Sequence, residues 1–521
     1  MEGTRGIGVG WTPLERPDPE GRFLLWGIIL LAAGLRLALL GSSGVRLDEV
    51  FTWWVATEHG GDVVETLVAV DTHPPLFYLL QHAWLGLTDS LAWARLPSAA
   101  FGVGLVPVVY AIGRSLQGRA VGLVAAALVA VSPWHLWHSQ DVRGYSLLTL
   151  AVALVLLAAL RSHSDGPESR SRGPLVFFLA GSIAVLTHNV GIVLVASVAV
   201  PQVLFLRRHR AAAARRWEAA AAAVGGIWLL WLPSMIRQLG NVEQNLAWVE
   251  RETGWLDAVT GVAGVWATSE LGDLSELMVA SAVAVPLALL GWKRLPREGA
   301  ARWMLLALLL VLPIFELLSL LGIPFLVVRS LLPTSVALIG LVAAGLASLS
   351  YRWLTTAGTA GLAIVLGLGG ANLLRADTHA WEQVTAVLEA EVQSDEAVLY
   401  VMNVGQLATS WIGTVPGRSF PLPGPFAERQ IWDETVTAGA VDRVASEVAG
   451  STPVWLVYAH GDRLDPDGHV LSWLDAEREV DLRMRFGGVE LRRYGAASSR
   501  RAAMRRVATA PSAAKAKSTS E

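Results

Sequence analysis

Long apolar runs separated by short charged ones fill the chain from residue 23 to residue 375. A helix needs about 20 mostly apolar residues to cross roughly 30 Å of hydrocarbon, and on that measure the pattern predicts about eleven spans. They lie near 23–41, 95–113, 120–137, 144–160, 174–188, 190–206, 217–235, 274–292, 303–321, 329–349 and 355–374. Residues 75–87 are apolar too, but the run is short, follows Pro74 and carries Gln81 and His82. It reads as an interfacial or re-entrant helix of the first loop.

Past residue 376 the period changes. DTHAWEQVTAVLEAEVQ predicts an amphipathic helix, EAVLYVM a buried strand, DETVTAGAVDRVASEVAG a second helix and PVWLVYAHG a second strand. A helix near HVLSWLDAER follows, and VDLRMRFGGVELRRY alternates on either side of Gly487 and Gly488, as a hairpin does. Residues 376–495 therefore form a small α/β domain. The Ala-, Ser-, Lys- and Arg-rich stretch 496–521 reads as a disordered basic tail, and residues 1–22 as a short cytoplasmic lead.

Loop charges orient the predicted spans, because Lys and Arg concentrate on the cytoplasmic side. With the N-terminus inside, the inner loops hold Arg114 and Arg119; Arg161, Arg170 and Arg172; Arg207, Arg208, Arg210, Arg215 and Arg216; Lys293, Arg294, Arg297 and Arg302; and Arg352. The first outer loop, 42–94, sets Asp48, Glu49, Glu58, Asp62, Glu65 and Asp71 against Arg46. The large outer loop, 236–273, sets Glu243, Glu250, Glu252, Asp257, Glu270 and Asp273 against Arg237 and Arg251. Counting 75–87 as a span would put the arginine-rich loops outside. An odd number of spans places the α/β domain outside.

Composition agrees with this division. Hydrophobic residues make up 53% of the 521 and charged ones 16%, with 22 Trp and a mean hydropathy of +0.47, which describes a membrane protein carrying some soluble mass. A net charge of -3 argues against a nucleic-acid partner, and the absence of Cys excludes disulfides, thiolate metal sites and cysteine nucleophiles.

Polar residues gather in the first loop, in RLDEVFTWW and DTHPPLFYLL. A polytopic protein gains little stability from such a cluster, so it reads as the catalytic face of an enzyme at the outer membrane surface. A transferase that moves a sugar onto a hydroxyl needs a carboxylate to take the proton as the new bond forms, and Asp48 and Glu49 stand a few residues beyond the first span. In DTHPP, Thr72 or His73 can cap a helix whose first turn accepts proline, which would fix Asp71 and His73 beside the loop acids. A metal site built from Asp48, Glu49, Asp71 and His73 is a chemical alternative that no local spacing demands.

Basic residues at the outer ends of spans suit an anionic group at the membrane surface. Arg143, in HSQDVRGY, and Arg329, in VVRSLLP, can each pair with phosphate through two hydrogen bonds. Arg36 and Glu316 lie inside spans, where charge is costly, so they line the same pocket or pair with one another. His188, in LTHNVG, sits at the next outer turn.

The order RLDEV, DTHPPLFYLLQHAWLG, ARLPSAAFGVGLVPVVYAIGRSLQGR and SPWHLWHSQDVRGYSLL resembles the dolichyl-phosphate-mannose protein mannosyltransferase superfamily, especially the bacterial branch that includes the aminoarabinose lipid A transferases. The resemblance implies the C-type glycosyltransferase fold, a site facing away from the cytoplasm, polyprenyl-phosphate sugar donors and inversion at the anomeric centre. It makes Asp48 the catalytic base with Glu49 beside it, and puts Asp71 and His73 on the acceptor side. It matches Arg143 and Tyr145 to an Arg-x-Tyr, Arg329 to Pro333 to a late arginine before Leu-Leu-Pro, and His188 to a recurrent histidine.

The implied partners are the donor, the bilayer of the plasma membrane and a protein, lipid or glycan acceptor. No cofactor is required, and a divalent cation is compatible with the loop acids. The rival class is a transporter or flippase. Repeated halves with charges near the midplane mark many transporters, whereas here the polar residues gather on one face.

Overall fold

The structure is a computed structural model, and it describes residues 19–38, 40–41, 43–58, 63–162, 172–252, 274–297, 299–320, 328–375, 380–426, 434–448 and 453–495. The chain divides into two compact units, Met1–Ser42 with Thr52–Ala376 and Ser43–Phe51 with Asp377–Glu521.

The larger unit is helical. In chain order it holds α1 (Pro19–Leu37), most of α2 (Leu47–Glu58), α3 (Val63–Val70), α4 (Leu76–Leu85), α5 (Leu91–Gln117), α6 (Arg119–Val131), α7 (Pro133–Ser139), α8 (Tyr145–Ser162), α9 (Gly173–Thr187), α10 (Gly191–His209), α11 (Ala211–Glu252), α12 (Leu274–Arg294) and α13 (Ala300–Leu320). A 3-10 turn at Val328–Leu331, α14 (Thr334–Ala347) and α15 (Arg352–Arg375) complete it. Among the described residues, five helices are long and apolar enough to cross a membrane, and α6 with α7 makes a sixth if a bent pair counts as one span. Three shorter apolar helices stand beside them, so the protein is an integral membrane protein.

Each of the apolar runs read as a span meets a helix, and α4, with ten residues, is as short as its sequence implied. The boundary near residue 236 differs. Helix α11 continues to Glu252, 42 residues in all, or about 63 Å. Its apolar part is Ala211–Leu239. Charge after residue 236 marks where the helix leaves hydrocarbon, not where it stops, since RQLGNVEQNLAWVERE has no proline to end it. Residues 253–273 of the expected outer loop lie outside the described residues.

The core joins α5, α6, α8, α10, α13 and α14. Two close crossings depend on glycine. A Cβ on Gly113 of α5 would meet the Val121 carbonyl oxygen at 2.8 Å, and one on Gly122 of α6 would meet that of Tyr110 at 2.7 Å. Gly291 of α12 and Gly345 of α14 are interlocked in the same way against Leu341 and Leu287. Lipid offers no hydrophobic drive between helices, so close backbone approach at small residues supplies the packing.

A break between α6 and α7 bends the chain by 58°. Pro133 causes it: Ser132 is extended (φ -61°, ψ 125°), as a residue before proline prefers, and the ring cannot donate back into the helix. The last carbonyls of α6 thereby lose their partners. Fully buried Arg36 of α1 supplies them, donating from Nη1 to Ala130 O at 2.8 Å, from Nη2 to Val129 O at 3.0 Å and from Nε to Ser139 Oγ at 3.2 Å. The guanidinium caps a broken helix; the side chain of Glu316 lies outside the described residues.

The smaller unit is an α/β domain. It runs α16 (Ala380–Glu391), β1 (Ala397–Tyr400), α17 (Asn403–Ile412), β2 (Arg418–Pro421), α18 (Ala438–Val448), β3 (Val454–Ala459), α19 (Gly461–Leu464), α20 (His469–Glu477), β4 (Val480–Phe486) and β5 (Val489–Tyr494). The sheet order is β2-β1-β3-β5-β4; β2, β1 and β3 are parallel, and β5 and β4 antiparallel. The β4–β5 hairpin closes at Gly487, whose φ of 52° suits glycine. Strand β2 has no clear sequence signal because RSFP is short and ends in proline, which only an edge tolerates.

Candidate active site

The first loop folds back on itself through α4. Trp84 and Trp93 stack at 4.3 Å, and each indole N–H donates to the other's carbonyl, which staples α4 to α5. Gln81 donates to Ala94 O at 3.0 Å, and His82 Nδ1 bonds Ala56 O of α2 at 2.7 Å. The buried face of α4 is Phe77, Tyr78, Gln81 and Leu85. Neither Thr72 nor His73 caps α4: its N-cap is Pro75, with no side-chain bond.

Asp71 turns instead into a polar cluster. Its Oδ1 accepts the Thr72 N–H at 2.7 Å and pairs with His73 Nδ1 at 2.9 Å, and its Oδ2 accepts the Tyr78 hydroxyl at 2.6 Å. A carboxylate only accepts, so His73 donates from Nδ1. Tyr78 Oη in turn accepts from Arg143 Nη1 at 3.1 Å, and the same nitrogen reaches Thr52 Oγ1 of α2 at 3.3 Å. Arg329 arrives from the 3-10 turn, 184 positions from its partner, and donates from Nε to the Tyr145 hydroxyl at 3.0 Å.

His188 closes the cluster. Its Nδ1 accepts the Val190 N–H at 3.1 Å, so the ring proton sits on Nε2 and donates to Ser330 Oγ at 2.9 Å. The His188 and His73 rings meet edge to face at 4.7 Å. Gln238 of α11 donates to the carbonyls of Leu67 and His73, and Asn189 to that of Thr72, so two distant segments hold the DTHPP turn. A cleft opens here, lined by His73, Phe77, Tyr78, Arg143, Gly144, Tyr145, Thr187 and His188.

Burial alone would raise the Asp71 carboxyl. The charge and hydrogen bond of His73, the Arg143 charge and the Tyr78 hydroxyl outweigh it and hold Asp71 well below the usual carboxylate range. The sign for stability follows: a depressed folded value contributes stability that is complete above the unfolded value of about 3.9 and is lost as pH falls below it. Asp71→Asn should therefore lower the melting temperature at neutral pH and flatten its decline below about pH 4, read by thermal scans in detergent; an unchanged acid limb would contradict the pairing.

Asp48 and Glu49 occupy the first turn of α2, in Ser43–Phe51 of the smaller unit. Their environments differ. Glu49 is buried, and its Oε2 accepts the Arg46 N–H at 3.0 Å, the reach-back half of a capping box. Asp48 is partly exposed. It precedes Thr52 by four residues, one turn along the same helix face. Among the described residues no group of three or more His, Asp or Glu side chains is arranged to hold a metal ion.

Residues 72–234 match the family model of dolichyl-phosphate-mannose-protein mannosyltransferases. ArnT of Cupriavidus metallidurans, solved bound to undecaprenyl phosphate, superposes with a TM-score of 0.61 at 13% identity, covering 92% of this chain and 98% of that one. The archaeal oligosaccharyltransferase AglB of Archaeoglobus fulgidus, solved with an inhibitory peptide and a dolichol-phosphate, gives 0.53 at 13% identity over 92% and 74%. The fold is that of the C-type glycosyltransferases. The resemblance carried by DTHPP and HSQDVRGY is thereby borne out. No curated protein sequence matches the chain significantly.

Within the C-type fold, the cleft gathers His73, Arg143, Tyr145 and His188, with Asp71 bonded to His73 and Tyr78 of its lining and Arg329 to Tyr145, while Arg36 caps α6. Sequence reasoning missed Tyr78, Thr52, Ser330 and Gln238. Tyr78 had a signal, since it and Gln81 are polar residues three apart on an otherwise apolar short helix. The others read as ordinary residues until the chain is folded.

Proposed function

We propose that the chain is an inverting glycosyltransferase that moves a sugar from a polyprenyl-phosphate carrier to an acceptor hydroxyl at the outer face of the plasma membrane. The observation that carries this reading is the convergence of Arg143 and Arg329, from distant segments, on the two hydroxyls Tyr78 and Tyr145 beside the cleft. A guanidinium can hold a phosphate bidentately and stabilise charge on it as it leaves. The undecaprenyl phosphate and dolichol-phosphate held by the two similar structures support a phosphate of that class, and the acidic outer loops support the orientation.

In the proposed step Asp48 takes the proton of the acceptor hydroxyl, whose oxygen forms a bond to the anomeric carbon from the face opposite the carrier. The bond from that carbon to the phosphate oxygen breaks, and the electron pair leaves with the carrier phosphate beside Arg329 and Arg143. Asp48 is preferred to Glu49 because Glu49 is buried and caps α2. A phosphate monoester leaves readily at neutral pH, so no general acid is needed.

The test is a transfer assay in native-like lipid with a panel of radiolabelled polyprenyl-phosphate monosaccharides, scoring label in lipid, protein and glycan fractions. Label in one fraction identifies sugar and acceptor class together. Binding of no donor by a folded preparation would sink the reading and favour transport.

A further inference from the structure

Strands β2, β1 and β3 are parallel, so their carboxyl ends share one edge of the small domain. In α/β domains the groups outside that edge hold ligands. Here they hold a segment of the same chain. Val45 N–H donates to Glu382 Oε1 at 2.6 Å, and Glu382 lies in the first turn of α16, which is joined to β1 by a short link. Phe426, in the stretch after β2, meets the Phe51 ring edge to face at 6.2 Å with planes at 77°. These two contacts bracket Asp48 and Glu49.

The Glu382 carboxylate is not satisfied as a purely structural group would be. Its second oxygen, Oε2, is buried with no hydrogen-bond partner among the described residues. A buried carboxylate oxygen without a partner costs stability. The backbone N–H of Val45 lies just before the first turn of α2, and fixing it fixes the direction in which Asp48 leaves the helix.

We infer that Glu382 and Phe426 are positioning residues: the small domain clamps the segment Ser43–Phe51 so that Asp48 is held at attack geometry. This rests on the proposed function. It gives the domain a role in the transfer step itself, where displacement of a reacting group by about 1 Å costs on the order of 100-fold in rate.

The experiment compares full-length wild type, Glu382→Ala, Glu382→Gln, Phe426→Leu and Asp48→Asn in native-like lipid, measuring kcat and KM with the radiolabelled donor panel and affinity for undecaprenyl phosphate. Glu382→Ala should lower kcat about 10- to 100-fold with carrier affinity unchanged. Glu382→Gln, whose amide oxygen still accepts the Val45 N–H, should restore it, and Phe426→Leu should lower kcat alone. If Glu382→Ala yields no folded protein, Phe426→Leu decides by the same split.

Wild-type kcat in Glu382→Ala beside an inactive Asp48→Asn would overturn the clamp and leave the function standing. A Glu382→Gln as impaired as Glu382→Ala would also overturn it, as would a matching loss of undecaprenyl phosphate affinity. A fully active Asp48→Asn removes the assigned base, and the clamp with it.

Discussion

Asp48→Asn should retain folded protein and carrier binding while losing about 100- to 10,000-fold in kcat, the range general base catalysis supplies. The magnitudes separate chemistry from folding. Asp48 is in the first turn of α2, where a carboxylate near the helix N-terminus contributes about 0.3–1 kcal/mol. That is too little to unfold the protein, whereas a 100-fold rate loss corresponds to about 2.7 kcal/mol of transition-state stabilisation. Glu49→Gln is the control: an amide oxygen can still accept the Arg46 N–H, so this variant should stay active. The decisive readout is single-turnover transfer with bound donor. An active Asp48→Asn paired with an inactive His73→Gln would move the base to the Asp71–His73 pair, in which a carboxylate orients an imidazole that lines the cleft.

Arg329→Ala should cost about 100- to 1,000-fold in kcat, as loss of one preorganised charge at a developing anion does. It should weaken undecaprenyl phosphate binding as well, because in the proposed step the same guanidinium pairs with the phosphate before and after transfer. Arg329→Lys should fall between, since an ammonium keeps the charge but not the fork, and loses the Nε bond to Tyr145. Titration of the variants with undecaprenyl phosphate alongside kcat measures both. Full activity in Arg329→Ala would exclude it from the phosphate site.

The helical frame was legible because hydrophobic runs are a local property, read without knowing what touches what. The same holds for β1, β3 and the β4–β5 hairpin, whose alternation or apolar run is strong. Helix α11 past residue 236 was not, since solvent-exposed helix and loop share a polar composition, and Gly240, of a type common in turns, does not end the helix here. In the site, Asp71, His73, Arg143, Tyr145 and Arg329 were visible as residue types at revealing places. Their wiring through Tyr78 and Thr52 was hidden, because a tyrosine on the polar side of a short helix and a threonine on a tryptophan-rich one do not name their partner until Arg143 arrives from 65 and 91 positions away. Arg36 shows the converse: a charge inside a span does signal a buried partner, but backbone carbonyls left open by Pro133 compete for it as well as any substrate does.

That cap also orders the biogenesis of the bundle. Helix α1 is made before α6 and carries its guanidinium before α6 exists to receive it, while the last carbonyls of α6 find their partner in that guanidinium. The guanidinium is thus kept waiting for a helix made nearly a hundred residues later, and α6 packed without α1 would leave those carbonyls without a partner.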